Sequence, residues 1–196
     1  MKIERARVNK LLRILTIITV ISFIIGILFI SILSDGNKDI IKSSINTYFN
    51  GLFNGQFTYF KSIMSVSISN IILTVFIWIM GISIVGIVIG ILYLIYKSFL
   101  VGFSLVSIIY TFKVKGILLG LIYIIPEVIF LVIYFLLVYY STSFSNILIR
   151  YLFERETFDK NRYLKRYIKI LLIILGLVII NSFILVFIIP NILKAF

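Results

Sequence analysis

Five uncharged or nearly uncharged runs organise the chain: residues 14–34, 71–96, 98–112, 116–140 and 170–189, interrupted only by Glu127. All but 98–112 reach the roughly 20 residues that an α-helix needs to cross the hydrocarbon core of a bilayer. Their apolar side chains fall on every face of a helix, so no side is left for water and lipid is the solvent that fits. The pattern predicts an all-α, polytopic integral membrane helical bundle forming a single membrane domain. Its spans fall at about 12–34, 71–96, 98–112, 116–140 and 170–189.

Between the first two runs, residues 35–70 are polar and carry the turn-prone pairs Asn50-Gly51 and Asn54-Gly55. Inside this interval Ile40, Ile41, Ile45, Tyr48, Phe49, Leu52 and Phe53 recur at helical three-to-four spacing, with Lys42, Ser43, Asn46 and Asn50 between them. That spacing predicts an amphipathic helix, either lying on the lipid headgroups or offering Tyr48, Phe49, Leu52 and Phe53 as a docking face for a partner.

Charge decides the number and direction of the spans. Lys2, Arg5, Arg7, Lys10 and Arg13 precede the first run, and Arg150, Arg155, Lys160, Arg162, Lys165, Arg166 and Lys169 precede the last. If the short run 98–112 crosses, with Lys97 snorkelling at its edge, both clusters fall on the cytoplasmic side with most of the 19 lysines and arginines. If it does not, the second cluster moves outside and the positive-inside bias is lost. Five spans are therefore expected, with the N-terminus inside, an extracytoplasmic loop over 35–70 and a basic cytoplasmic loop over 141–169. The first run is longer than the apolar region of a signal peptide, about 7 to 15 residues, and no small-residue cleavage site follows it; a retained span is expected.

Composition narrows the chemistry. Of the 196 residues, 62% are hydrophobic and 13% charged, and the mean hydropathy is +1.20. The net charge of +12 is explained by topology and by attraction to anionic lipid rather than by nucleic acid, even though Tyr151, Phe153, Phe158, Tyr163 and Tyr167 interleave the basic residues of 150–169. Cysteine and histidine are both absent, which excludes thiolate and imidazole metal sites, disulfides, and Ser/His or Cys/His nucleophiles. No catalytic, cofactor-binding or metal-binding residue is expected, and no cofactor.

Two features remain inside the apolar runs. Gly81, Gly86, Gly90, Gly102, Gly116 and Gly120 are candidates for close helix packing; the pairs 86/90 and 116/120 have the small-xxx-small spacing that serves packing within the chain or a homo-oligomer interface. Pro126 and Glu127 put a helix-interrupting residue beside the sole acid in any run, one without an evident basic partner at the same depth.

The segments Trp78-Ile-Met-Gly81-Ile-Ser-Ile-Val-Gly86, Lys97-Ser-Phe-Leu-Val-Gly102-Phe-Ser104 and Ile124-Ile-Pro126 resemble the stage II sporulation protein M family, as do the chain's length, basic N-terminus, single first span, outer loop and five-span count. The resemblance covers most of the chain. It implies a non-enzymatic scaffold of bacterial endospore formation, working in the mother-cell engulfing membrane. Such a scaffold recruits and anchors the cell-wall-degrading stage II sporulation proteins P and D as the membrane surrounds the forespore. The wider family often follows the proline with a His-Gly pair and a later glutamate; here Glu127 and Val128 follow Pro126, and Leu131 stands at the later position. The alternative reading is a membrane subunit of a transporter or permease, which would require polar groups lining a path at mid-membrane.

Overall fold

A computed structural model describes residues 2–53, 59–153 and 160–194. The Asn54-Gly55 pair and the stretch from Glu154 to Asp159 of the basic block lie outside the described residues. Among those described, the chain is helical almost throughout: α1 (Lys2–Ile32), α2 (Asp35–Phe53), α3 (Tyr59–Met80), α4 (Ile84–Phe153) and α5 (Lys160–Phe183), then a π-helical turn (Ile184–Ile188) and α6 (Ile189–Lys194). The fold is the expected all-α membrane bundle, and four of its helices are long and apolar enough to cross a bilayer.

One of those four is a hairpin. A straight helix of the 70 residues in α4 would be about 105 Å long, more than three times the hydrocarbon thickness. The backbone instead breaks at Lys113, with φ 52° and ψ −122°. The two legs, 84–112 and 114–153, then run back along each other. The ring centroids of Tyr93 and Tyr134 lie 5.1 Å apart, Lys97 meets Glu127, Gly120 faces Leu105, and Gly116 packs on the backbone of Ile108 and Ile109. Each pair is centred on Lys113. Counting the legs separately gives five membrane-length helical segments.

The helix boundaries differ from those read off the sequence. Residues 71–96 are not one helix: the chain turns at Gly81–Ser83, and α3 reaches back to Tyr59, into the interval read as an outer loop. Successive N–H groups of Gly81, Ile82 and Ser83 donate to carbonyls three residues back, tightening the end of α3. The Ser83 hydroxyl then accepts from the Val85 N–H at 3.2 Å and caps the start of α4. A β-carbon on Gly81 would strike Ser141 and Tyr167, and one on Gly86 would strike the Met80 carbonyl, so this turn needs both glycines.

The expected loop over 141–169 is likewise mostly helix. Residues 141–153 continue α4 and α5 begins at Lys160. Aromatic packing holds these ends together: Tyr167, 3% exposed, stacks on Phe144 (4.1 Å) and Trp78 (5.0 Å) and donates to the Trp78 carbonyl at 2.8 Å. Nor does the last helix end at Pro190. The Ile189 N–H reaches back five residues to the Ile184 carbonyl, and this widened turn carries the helix through the proline, which has no N–H of its own to donate.

Two clusters organise the interior. The larger joins Leu15, Ile77, Leu94, Phe130, Tyr134 and Val178 across α1, α3, both legs of α4 and α5. The smaller joins Phe49 and Leu52 of α2 to Ile108, Leu119, Ile189 and Leu193. The bundle therefore has two ends. One gathers α2, the Lys113 turn and α6; the other gathers the N-terminal part of α1, the Gly81–Ser83 turn and the basic start of α5.

Candidate functional site

At mid-length of the α4 hairpin, Lys97 Nζ lies 2.8 Å from Glu127 Oε2. The side chains are 17% and 16% exposed, and the ammonium sits 5.6 Å from the centre of the Phe130 ring. The sequence reading left Glu127 without a basic partner and put Lys97 at a membrane edge. Both expectations are corrected here: with the turn at 81–83, the third segment begins at Ile84 and Lys97 falls well inside it, opposite Glu127. Taking two charges out of water costs several kcal/mol per ion, which direct pairing offsets only in part.

This pair opens on an open-sided chamber of about 630 Å³ lined by α2, α3, both legs of α4 and the π-helical turn. Lys61, Ser62, Ser65, Ser69 and Asn70 of α3 form one wall, and Tyr48 and Tyr123 form another. Ser62, Ser65 and Ser69 share one face of α3 by their three-to-four spacing. Other hydroxyls of the bundle, including those of Thr74, Ser98, Thr111 and Ser182, donate to the carbonyl one turn back. The three α3 serines make no hydrogen bond among the described residues, nor does Lys61 make an ion pair there. Hydroxyls and an ammonium left without protein partners require water or a polar ligand beside them.

Below the chamber, Asn70 Oδ1 accepts from the Tyr134 hydroxyl at 3.0 Å. Asn181 is buried and donates through Nδ2 to the Pro126 carbonyl at 2.8 Å. Pro126 thus receives a side-chain donor from α5. Sequence reasoning missed both asparagines: Asn70 fell at the edge of the interval read as an outer loop, while Asn181, within an apolar run, is itself a signal of a cross-helix bond.

A second, apolar groove of about 350 Å³ lies under α2, between Ile40, Ile41, Ile45 and Phe49 on one side and Phe103 and Ile108 on the other. Tyr48 and Tyr123 belong to the walls of both spaces, with ring centroids 6.4 Å apart.

The four residues expected to form a docking face separate. Phe49 and Leu52 are 2% and 1% exposed and pack into the smaller cluster, Phe49 against Phe112 at 5.1 Å. Tyr48 and Phe53 remain exposed. The amphipathic pattern of α2 is thus satisfied largely by the chain's own bundle.

The glycines also separate by role. Gly102 would, with a β-carbon, strike the Phe23 carbonyl of α1, and Gly26 of α1 would strike the Phe99 carbonyl of α4, so the two helices cross backbone to backbone at this pair. Gly26 was not singled out from the sequence, although Ser22 stands four residues before it in small-xxx-small spacing. Gly90 packs on Val138, while Gly116 and Gly120 serve contact between the two legs of α4.

Among the described residues no group of histidine, cysteine, aspartate and glutamate is arranged to hold a metal ion. Comparison of the chain with protein-family models, curated proteins and solved structures finds no match.

Proposed function

We propose that the chain is a non-enzymatic membrane scaffold of the stage II sporulation protein M type. In this reading it anchors the cell-wall-degrading stage II sporulation proteins P and D at the mother-cell membrane during engulfment. One observation carries the reading: the three segments that bear the resemblance coincide with the junctions of the fold. Gly81-Ile-Ser-Ile-Val-Gly86 makes the turn between α3 and α4, and Lys97-Ser-Phe-Leu-Val-Gly102 supplies both the ion pair and the α1 crossing. Ile124-Ile-Pro126 leads into Glu127 and supplies the carbonyl that Asn181 meets. Segments that set helix geometry are those a shared architecture would share.

In this reading the basic end of the bundle faces the cytoplasm, and the end holding α2 faces the partners. Phe53, exposed at the last turn of α2, is the contact residue we assign. A photo-crosslinker at position 53, in cells forming spores, is expected to capture one or both of the two wall-degrading proteins, and Phe53→Asp to abolish their retention with the bundle intact. Normal engulfment in cells lacking this chain would sink the proposal.

The chamber favours a second reading, a transporter subunit, because it brings an ion pair and unbonded hydroxyls together in one cleft between the helices. Substrate-dependent flux in proteoliposomes, abolished by Glu127→Gln, would select it.

A further inference from the structure

The polar chamber and the apolar groove meet at Tyr48 and Tyr123, and their chemistry is complementary to the two halves of one molecule. The chamber carries Lys61 and Lys97 against the single carboxylate of Glu127, so its wall is net positive. Lys97 uses one ammonium N–H on Glu127 and has two more to give. With Lys61 and the hydroxyls of Ser62, Ser65 and Ser69, it offers several donors to an oxygen-rich anion. The groove offers no charge and is mainly apolar, with the hydroxyls of Ser44, Ser104 and Ser107 among its isoleucines and phenylalanines.

We propose that the two spaces together hold one anionic phospholipid, its phosphate between Lys61 and Lys97 and one acyl chain in the groove beneath α2. Both volumes fall within about 300–1,000 Å³, the usual range for small-molecule sites. A free phosphate would leave the groove without a role, and a zwitterionic headgroup would bring its own cation against two lysines. The groove adds little affinity, since a lipid tail is no worse off in the bilayer; selectivity comes from the headgroup. This site runs from mid-length of the α4 hairpin toward the α2 end, away from the basic start of α5, so it is separate from the general attraction of that end to anionic membrane surfaces. It does not rest on the scaffold reading, and its test does not involve the wall-degrading proteins.

The full chain, purified in detergent and stripped of lipid, is titrated with phosphatidylglycerol, with phosphatidylcholine of the same acyl chains, and with inorganic phosphate. Thermal unfolding and native mass spectrometry serve as readouts. Phosphatidylglycerol is expected to bind one to one and raise Tm, and the other two to do neither. Lys61→Ser, at an exposed position without an ion pair, should weaken that binding about fivefold, the value of one lysine beside an anionic headgroup. Ser44→Trp, which fills the groove from its exposed rim, should weaken it as well. Equal response to phosphatidylcholine would overturn the headgroup assignment, and an equal response to inorganic phosphate would overturn the tail assignment. Unchanged phosphatidylglycerol binding in both variants would overturn the site.

Discussion

Lys97 and Glu127 face each other across the α4 hairpin at 2.8 Å, thirty residues apart in sequence, with the Phe130 ring beside the ammonium. Removing one partner of a buried pair strands the other charge, at a cost of about 3–5 kcal/mol, whereas replacing both with apolar groups of similar volume is often close to neutral. Lys97→Met is therefore expected to lower stability strongly in denaturant titration in detergent. Lys97→Met combined with Glu127→Leu should recover most of the loss. Additive effects in this cycle would mean the pair is not coupled.

Gly26 and Gly102 let α1 and α4 approach backbone to backbone, and a side chain on either would meet a carbonyl. Gly26→Leu or Gly102→Leu should each cost about 1–3 kcal/mol by overpacking. The double variant should cost less than the two together, because either one already separates the helices. Thermal unfolding of the three variants reads this directly.

Lys113 turns the hairpin with φ 52°, a conformation that glycine adopts freely and an L side chain does not. Lys113→Gly is expected to stabilise the chain by about 1 kcal/mol after the extra chain entropy of glycine is set against the relieved strain. Lys113→Val, β-branched, should destabilise it. A lower midpoint for the glycine variant would argue against the reversal at this residue.

The Asn181 amide reaches the Pro126 carbonyl from α5. Asn181→Leu should cost about 1 kcal/mol, in the range of hydrogen bonds between membrane helices. Hydrogen exchange should rise around residue 126 rather than along α5.

Phe49 and Phe53 lie one turn apart on α2 but differ in burial, at 2% and 43% exposed. Phe49→Asp would bury a carboxylate among Phe112, Leu119 and Leu193, so the protein should fail to accumulate in the membrane. Phe53→Asp should accumulate normally. Quantitative immunoblotting of membrane fractions distinguishes them.

The membrane character and helical class follow from hydropathy alone, because lipid leaves the backbone few alternatives. Helix ends were harder to read. Hydropathy runs smoothly through Gly81-Ile-Ser83, so two helices merge into one long run; the legible signal was the glycine followed by a capping serine. Once that turn is missed, the start of the third segment moves from Ile84 to Ser98 and Lys97 is displaced from the interior to an edge. The reversal itself was legible, because Lys113 and Lys115 interrupt the apolar sequence between the runs 98–112 and 116–140, and the backbone turns at Lys113; the ion pair was missed because the hydropathy pattern puts Lys97 at the edge of its span. On α2 the periodicity located the apolar face, but periodicity does not say whether that face meets a partner, lipid or the same chain.

The link between α3 and α4 is only the three uncharged residues Gly81, Ile82 and Ser83, with the hydroxyl of Ser145 fastened to the Ser83 carbonyl at 2.8 Å. A connection so short and neutral offers the insertion machinery nothing to hold back on either side of the bilayer. With no charge at this turn, the positive-inside bias acts on the two segments it joins only through the cationic flanks of α1 and α5, so their orientation is inherited from those neighbours.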